Sequence, residues 1–173
     1  MMLIRVVSMV KLLRKEVIDD TWVNLEFDDG QIWEVSRRQI GPIGIGEALQ
    51  RCQELGFALP SPAEVDVIWQ CADVKIPPMT RTFKRWTAEE MGSEEVMADQ
   101  IQKIQDYIGC TQYELIAGEY KDVVSQDGKV GLYGWHTLRG KPVQTFYSKH
   151  ALAWKDYSQG LRYLRKRILN VIP

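Results

Sequence analysis

The sequence predicts an α+β fold with an N-terminal β-hairpin segment, a helical middle and a small, mostly antiparallel C-terminal sheet that carries a polar cluster. Apolar and polar residues alternate over residues 23–27, which is the period of a strand. Helical spacing of apolar residues begins at Ile45, and short alternating segments return after Gly109. We therefore divide the chain into a small β segment, residues 1–42, and an α+β domain, residues 43–173, which we expect to be catalytic.

The N-terminal hairpin is predicted from its turn. Asp28-Asp29-Gly30 stands between two runs of strand-forming residues, 23–27 and 31–35. This composition is typical of a tight turn between antiparallel strands. The hairpin is either a binding module or a packing layer for the rest of the chain.

The helical middle is predicted from capping residues and from residues that end helices. Ala48, Leu49, Cys52 and Leu55 share one helical face, and Gly56 ends that helix. Next, Ser61-Pro62-Ala63-Glu64 combines an N-cap serine, a proline in the first turn and the glutamate of a capping box. This second helix ends before the prolines at 77 and 78, and a further helix covers residues 93–108.

Short strands separated by turns are predicted after Gly109. Asp127-Gly128 and Arg139-Gly140-Lys141 are the turn sequences. The predicted strands are Tyr113–Ala117, Lys129–Trp135, Pro142–Tyr147 and Gly160–Leu164.

Composition and charge argue against several classes of partner. The formal net charge of -1 argues against nucleic-acid binding, which normally needs a basic excess. The basic residues between Arg162 and Arg167 are interpreted as a solvated terminal segment. No stretch approaches the ~20 apolar residues of a membrane span, so no membrane partner is expected. Because no secretory signal is recognised at the N-terminus, we expect synthesis in the cytoplasm.

The segment 118–162 holds both histidines of the chain, His136 and His150, among many polar residues. Imidazole is the usual proton shuttle and metal ligand because its ordinary pKa lies near neutrality. We expect these groups to form one site. The catalytic candidates are His136, His150, Asp156, Glu119 and Asp122. The candidates for substrate binding are Lys121, Tyr133, Trp135, Gln144, Tyr157, Ser158 and Arg162.

Strand alternation predicts how the cluster is arranged. Tyr133 and Trp135 should share one face of their strand, with Gly134 and His136 on the other. A glycine on the histidine face leaves space for a substrate. Gln144, on the next strand, is expected to reach toward His136.

Three chemistries fit these residues and stay open at this point. Both histidines with Asp156, Asp122 or Glu119 would bind a zinc ion that activates water. Alternatively, one histidine oriented by Asp156 would be a general base acting on water or on Ser158. In the third scheme Glu119 forms an acid/base pair with Asp122 or Asp156 on a sugar.

Several motifs, taken in order, resemble a poorly characterised bacterial and phage family. The resemblance covers the chain from Leu59 onward. Its motifs here are Leu59–Asp66, Ile76-Pro77-Pro78, Ala117-Gly118-Glu119-Tyr120-Lys121-Asp122, Tyr133-Gly134-Trp135-His136, Gly140-Lys141-Pro142-Val143-Gln144, His150 and Asp156-Tyr157-Ser158-Gln159-Gly160.

This chain departs from the family pattern at two positions. The family motifs read Gly-His-Lys-Lys-Asp and Asp-Tyr-Ser-His-Gly, whereas this chain has Glu119 and Gln159 in place of the two histidines. Glutamine is a poor zinc ligand. The chemistry would then run through His136, His150 and the aspartates, or this chain keeps the fold with altered or lost activity.

The family is associated with peptidoglycan-binding modules. The resemblance therefore implies a cell-wall hydrolase of the phage-lysin kind, with peptidoglycan or another glycan as substrate, associated with phage or released to the wall. The alternative is a non-enzymatic phage structural or attachment protein with a phage structural protein as its partner.

Overall fold

The computed structural model describes residues 10–109 and 114–169 and confirms the α+β class. Within these residues a β-sheet near the N-terminus is followed by four helices and then by a mixed sheet. The elements are β1 Leu12–Val17, β2 Trp22–Phe27, β3 Gln31–Ser36, α1 Ile45–Leu55, α2 Pro62–Cys71, β4 Val74–Lys75, α3 Ala88–Met91, α4 Glu94–Ile108, β5 Ile116–Ala117, β6 Lys121–Gln126, β7 Lys129–His136, β8 Pro142–Tyr147, β9 Gln159–Gly160 and β10 Leu164–Ile168.

The N-terminal sheet has the strand order β1-β2-β3-β10. The predicted hairpin is β2–β3, which turns at Gly30 in a left-handed conformation, φ 80°. Val23 and Leu25 are fully buried and alternate with half-buried Asn24. The alternation therefore comes from a sheet that packs one face on the core.

The last strand, β10, corrects two predictions at the C-terminus. It pairs antiparallel with β3, with Leu164 opposite Val35, so the basic residues after Arg162 belong to a sheet and not to a separate terminal segment, although Arg165, Lys166 and Arg167 are exposed to solvent as expected. Residues from both sides of the boundary drawn at 42 consequently share one sheet. The predicted strand Gly160–Leu164 is also wrong, because Gly160 ends β9 and Leu164 begins β10. Tyr113, at the start of another predicted strand, lies outside the described residues.

Helix α2 begins as its capping box predicts. Ser61 Oγ accepts a hydrogen bond from the Glu64 backbone N–H, and the Glu64 side chain accepts one from the Ser61 N–H. Val65, Ile68 and Trp69 form its buried face. Asp66 lies on the same helix between these residues and is only partly covered.

The C-terminal sheet, in the order β8-β7-β6-β9, has two different faces. On one face Val123 of β6 and Leu132 of β7 pack in a cluster that includes Ala48 and Cys52 of α1. On the other face Val124 and Tyr133 pack against Val65 of α2. We call these the α1 face and the α2 face. Consecutive residues of β6 therefore belong to different faces.

None of the helices among the described residues combines the length and the apolar character that crossing a membrane requires.

Candidate functional site

A carboxylate and an imidazole meet between α2 and the end of β7. Asp66 Oδ1 lies 2.7 Å from His136 Nε2 and accepts a second hydrogen bond, of 2.9 Å, from the Tyr133 hydroxyl. The Asp66 side chain is 43% exposed, whereas that of His136 is 3% exposed. The carboxylate is therefore the accessible member of the pair, and the imidazole lies behind it.

Aromatic contacts fix the plane of the imidazole. The Trp69 ring stacks on His136 with centroids 5.1 Å apart and an angle of 16° between the planes. The Tyr133 ring meets it edge-on at 5.9 Å. Because Trp69 follows Asp66 by three residues on α2, one helical face supplies both the bonded carboxylate and the stacking ring.

The pair borders an open cleft of about 430 Å³, which we call the Asp66 cleft. Among the described residues that line it, Asp66 is the only acidic one, and Lys75 and Arg139 supply positive charge. The Lys75 ammonium lies 5.7 Å from the centre of the Trp69 ring. The lining residues are Asp66, Trp69, Gln70, Lys75, His136, Leu138, Arg139 and Gly140.

An irregularity in β7 brings Tyr133 and His136 to the same side. Gly134 and Trp135 both have positive φ, 99° and 54°, and the register with β8 shifts between Leu132 and Gly134. The expected face-sharing of Tyr133 with Trp135 is therefore wrong. Tyr133 and His136 instead converge on Asp66, while the Trp135 ring joins a separate cluster with Tyr157. This β-bulge therefore directs the side chains of Tyr133 and His136 toward Asp66.

Asp122 lies behind His136 on the α2 face. A Cβ added at Gly134 would be 3.5 Å from both the Asp122 carboxylate and the His136 ring, which is ordinary van der Waals contact, so glycine is favoured here by its φ of 99° and not by lack of space. Asp122 and His136 also line a small inner cavity of about 10 Å³. Burial raises the pKa of Asp122 to about 7, although Arg162 and the Gln39 amide act in the opposite direction. Asp122 is thus a carboxyl that keeps its proton well above the usual range and ionises only around pH 7.

Arg162, expected to bind substrate, is fully buried. Its guanidinium donates hydrogen bonds of 2.6 Å to the backbone carbonyls of Ser36 and Ile116. Burial lowers its pKa, and the nearby carboxylates of Asp122 and Glu119 raise it. Arg162 therefore joins three chain segments in the interior and balances the buried acids.

Glu119, expected to be catalytic, is also internal. Its Oε1 accepts from Arg38 Nε at 2.8 Å and lies 2.7 Å from Arg38 Nη2, while Oε2 accepts from the Gln39 backbone N–H at 2.6 Å. Both oxygens are thus occupied, and the side chain is fully buried. At this position the chain has an ion pair that holds two segments together.

The second histidine lies with a different group of residues, on the α1 face. The His150 ring stacks on Trp154 at 4.4 Å, and Trp154 packs against the α1-face cluster. Burial lowers the pKa of His150, with Asp156 raising it and Lys121 lowering it. Lys121 precedes Asp122 on β6 and so points to the opposite face from Asp122.

Asp156 and Lys121 belong to this second group. Asp156 Oδ1 accepts from the backbone N–H and the hydroxyl of Ser158, at 2.7 and 2.6 Å, and Oδ2 accepts from Trp154 Nε1 at 3.0 Å. Through these hydrogen bonds Asp156 stabilises the loop in which it lies. The Lys121 ammonium lies 5.4 Å from the Trp135 ring centre, and burial lowers its pKa.

The expected convergence of the two histidines is therefore corrected. His136 and His150 lie on opposite faces of the sheet. In this arrangement they cannot both bind the zinc ion of the first scheme. Within residues 10–109 and 114–169 no group of three or more histidine, cysteine, aspartate or glutamate side chains is placed to hold a metal ion.

No protein-family model, curated protein or solved structure matches this chain. The geometry of the Asp66 cleft is therefore the basis for assigning a function.

The remaining predicted residues lie away from the Asp66 cleft. The Gln144 amide donates to the neighbouring Thr145 carbonyl at 2.8 Å and not to His136. The Tyr157 hydroxyl accepts from the Arg81 backbone N–H at 3.1 Å. Ser158, already described, is bound to Asp156 and is fully buried.

Asp66 was not predicted as a site residue, although two signals pointed to it. It ends the upstream motif of the family resemblance, and it lies three and four residues before Trp69 and Gln70, at the spacing of one helical face. The sequence did not show its partner, because 70 residues separate Asp66 from His136.

Proposed function

We propose that this chain is a hydrolase in which Asp66 is the acid/base group and peptidoglycan, or a related glycan, is the substrate. The observation that carries this proposal is an exposed carboxylate bound by two largely buried donors at the edge of an open cleft. A general acid or base must be able to reach the substrate and must be held in position, and this carboxylate is both accessible and fixed by buried donors.

The proposed chemistry is attack by water. Asp66 takes a proton from a water molecule as the water oxygen bonds to the substrate, and it returns the proton to the leaving group as the scissile bond breaks. His136 and Tyr133 hold Oδ1, which leaves Oδ2 for the transfer. A positioned acid/base group of this kind contributes about 10²–10⁴-fold to a rate.

In this proposal the aspartate and the histidine exchange the roles expected from sequence. The imidazole was expected to act on the substrate and an aspartate to orient it. Because His136 is almost fully covered, it is instead the positioning residue. Because burial raises the pKa of Asp122 to about 7, this carboxyl is mostly neutral below that pH and then adds little negative charge behind the His136 ring.

The substrate class is supported by two features. The cleft offers polar and charged groups over most of its lining, as sugars and peptides with many hydrogen-bonding groups require. The family resemblance, which extends over Leu59–Asp66 and His136, adds the association with peptidoglycan. A phage-lysin type of enzyme acting at the cell wall fits both features.

Release of soluble fragments from purified peptidoglycan tests the proposal. Asp66→Asn should lose about 10²-fold or more of the rate, and His136→Gln should lose a comparable amount. His150→Gln is the matched control, because this histidine lies on the opposite face, and it should keep the rate. A chelator arm decides whether a metal takes part. Equal release by Asp66→Asn and the unchanged chain would overturn the proposal.

One observation favours a second function, a non-enzymatic phage structural or attachment protein. Strand β8 is the edge of its sheet, and Val143 and Tyr147 on it are 52% and 39% exposed. An edge strand with exposed apolar side chains is open to pairing with another chain. This function predicts no fragment release and binding to a phage structural protein that Val143→Lys weakens.

A further inference from the structure

Two cations border the Asp66 cleft from separate parts of the fold. Lys75 ends β4, which is paired with β5 through Lys75 and Ala117. Arg139 lies in the turn between β7 and β8, where the Gly140 N–H donates to the Thr137 carbonyl at 2.8 Å. Paired or hydrogen-bonded backbone therefore places both side chains beside Asp66.

Neither cation forms an ion pair with a carboxylate of the residues that the structure describes. Among the residues that the structure describes, the ion pairs use Arg14, Lys15, Arg38, Arg51, Arg81, Lys103, Arg165, Lys166 and His136. Lys75 and Arg139 are absent from these pairs. The single carboxylate of the lining, Asp66, is already bound to His136 and Tyr133.

The cleft is consequently positive in a chain that is slightly negative. Lys75 and Arg139 outweigh Asp66 in the lining whatever the charge of His136, whereas the formal net charge of the chain is -1. A concave surface lined by one sign of charge concentrates ligands of the opposite sign. The arginine fork additionally matches the paired oxygens of a carboxylate or phosphate.

We infer that Lys75 and Arg139 bind an acidic group of the substrate, a carboxylate or a phosphate, beside the bond on which Asp66 acts. This inference rests on the proposed function for its reaction, but it makes a separate statement about binding. It gives the cleft a preference for acidic saccharides or peptides over their neutral counterparts.

The two histidines allow binding to be measured without turnover. In protein labelled with ¹³C at histidine, His136 reports on the Asp66 cleft, and His150 on the opposite sheet face is an internal control. The probes are three sugars with the same ring. N-acetylmuramic acid carries a carboxylate, N-acetylglucosamine 6-phosphate carries a phosphate, and N-acetylglucosamine is neutral. Histidine→Gln variants assign the two signals.

The acidic probes should shift the His136 signal at concentrations about tenfold lower than the neutral sugar, and leave the His150 signal in place. Lys75→Gln and Arg139→Gln should each weaken this binding by about 3–10-fold, and added salt should weaken it further. Lys129→Gln, which removes an exposed cation at the start of β7, is the matched control and should change nothing. A preference between the two acidic probes would identify carboxylate or phosphate as the group bound.

Equal binding of the neutral sugar, or acidic binding that neither variant weakens, would overturn the inference. Asp66→Asn separates this failure from failure of the proposed function, because losing the carboxylate should preserve or strengthen acid binding while abolishing hydrolysis. Hydrolysis without acid preference would refute the inference alone. Acid binding without hydrolysis would refute the proposed reaction alone.

Discussion

Asp66 on α2 and His136 on β7 are 70 residues apart in sequence, yet their side chains are in hydrogen-bond contact at 2.7 Å. The contact exists only when α2 packs on the C-terminal sheet through Val65, Val124 and Tyr133. The stability of the helix and the geometry of the site are thus linked.

Removing the cap of α2 should destabilise the protein and loosen the site. Ser61→Ala leaves the Glu64 N–H without its acceptor, so the free energy of unfolding should fall by about 1 kcal/mol. Ser93→Ala removes the equivalent bond to Val96 on α4 and should cost a similar amount. Urea unfolding measures both. Only Ser61→Ala should also shift the His136 NMR signal. If the His136 signal is the same in both variants, the stability of α2 does not influence the geometry of the site.

The Tyr133 hydroxyl should matter through Asp66. Tyr133→Phe removes one of two hydrogen bonds to Oδ1, so turnover should fall about 3–10-fold with little change in KM. Tyr147→Phe, on the exposed side of β8, should have no effect. If Tyr133→Phe reduces turnover equally in the Asp66→Asn background, the hydroxyl does not act through Asp66.

Asp122 should make the protein less stable as pH rises toward neutrality. Its folded pKa is about 7 against an ordinary 3.8, so the folded chain keeps a proton that the unfolded chain releases. The resulting stabilisation is complete below about pH 4 and is lost progressively up to about pH 7. Asp122→Asn should flatten this decline in urea unfolding measured across the range. An unchanged slope would mean that Asp122 is ionised when folded.

His150 should titrate below the ordinary value of 6.5, because burial and Lys121 disfavour its charged form. The neutral form of His150 is then favoured in the folded chain. The resulting contribution to the free energy of unfolding is complete above about pH 6.5 and is lost as the pH falls through the folded pKa. An NMR titration of the His150 ring measures the pKa directly. Lys121→Gln should raise it toward 6.5. A titration above 6.5 would show that the attraction of Asp156 outweighs burial.

Glu119 should be structural. Glu119→Gln keeps the shape but breaks the charged contact with Arg38, so the free energy of unfolding should fall by about 1–3 kcal/mol. Turnover by the folded fraction should stay near that of the unchanged chain. A large loss of turnover without a change in the free energy of unfolding would show that Glu119 takes part in catalysis.

Local sequence signals predicted the fold class, the β2–β3 hairpin and the start of α2. Each depends on neighbouring residues, such as the Asp28-Asp29-Gly30 turn and the Ser61–Glu64 capping box. The pairing of β10 with β3 was missed, because a short strand of mostly exposed, basic residues has no alternating pattern. Long-range pairing is not encoded in local composition.

The candidate site was predicted only in part. His136 was found because histidine is rare in this chain, but its partner Asp66 comes from another element. Regular alternation failed at Gly134 and Trp135, where two positive φ angles reverse the faces that follow. The same alternation, applied to β6, separates Lys121 from Asp122 and explains why one polar cluster in sequence becomes two in the structure.

The most direct test of the central claim is the rate of fragment release from peptidoglycan by Asp66→Asn, at a pH near 7 and with the fold checked by its NMR spectrum. Loss of about 10²-fold or more, with His150→Gln close to the unchanged chain, is the predicted result. A rate for Asp66→Asn within about twofold of the unchanged chain would contradict the assignment of Asp66 as the acid/base group.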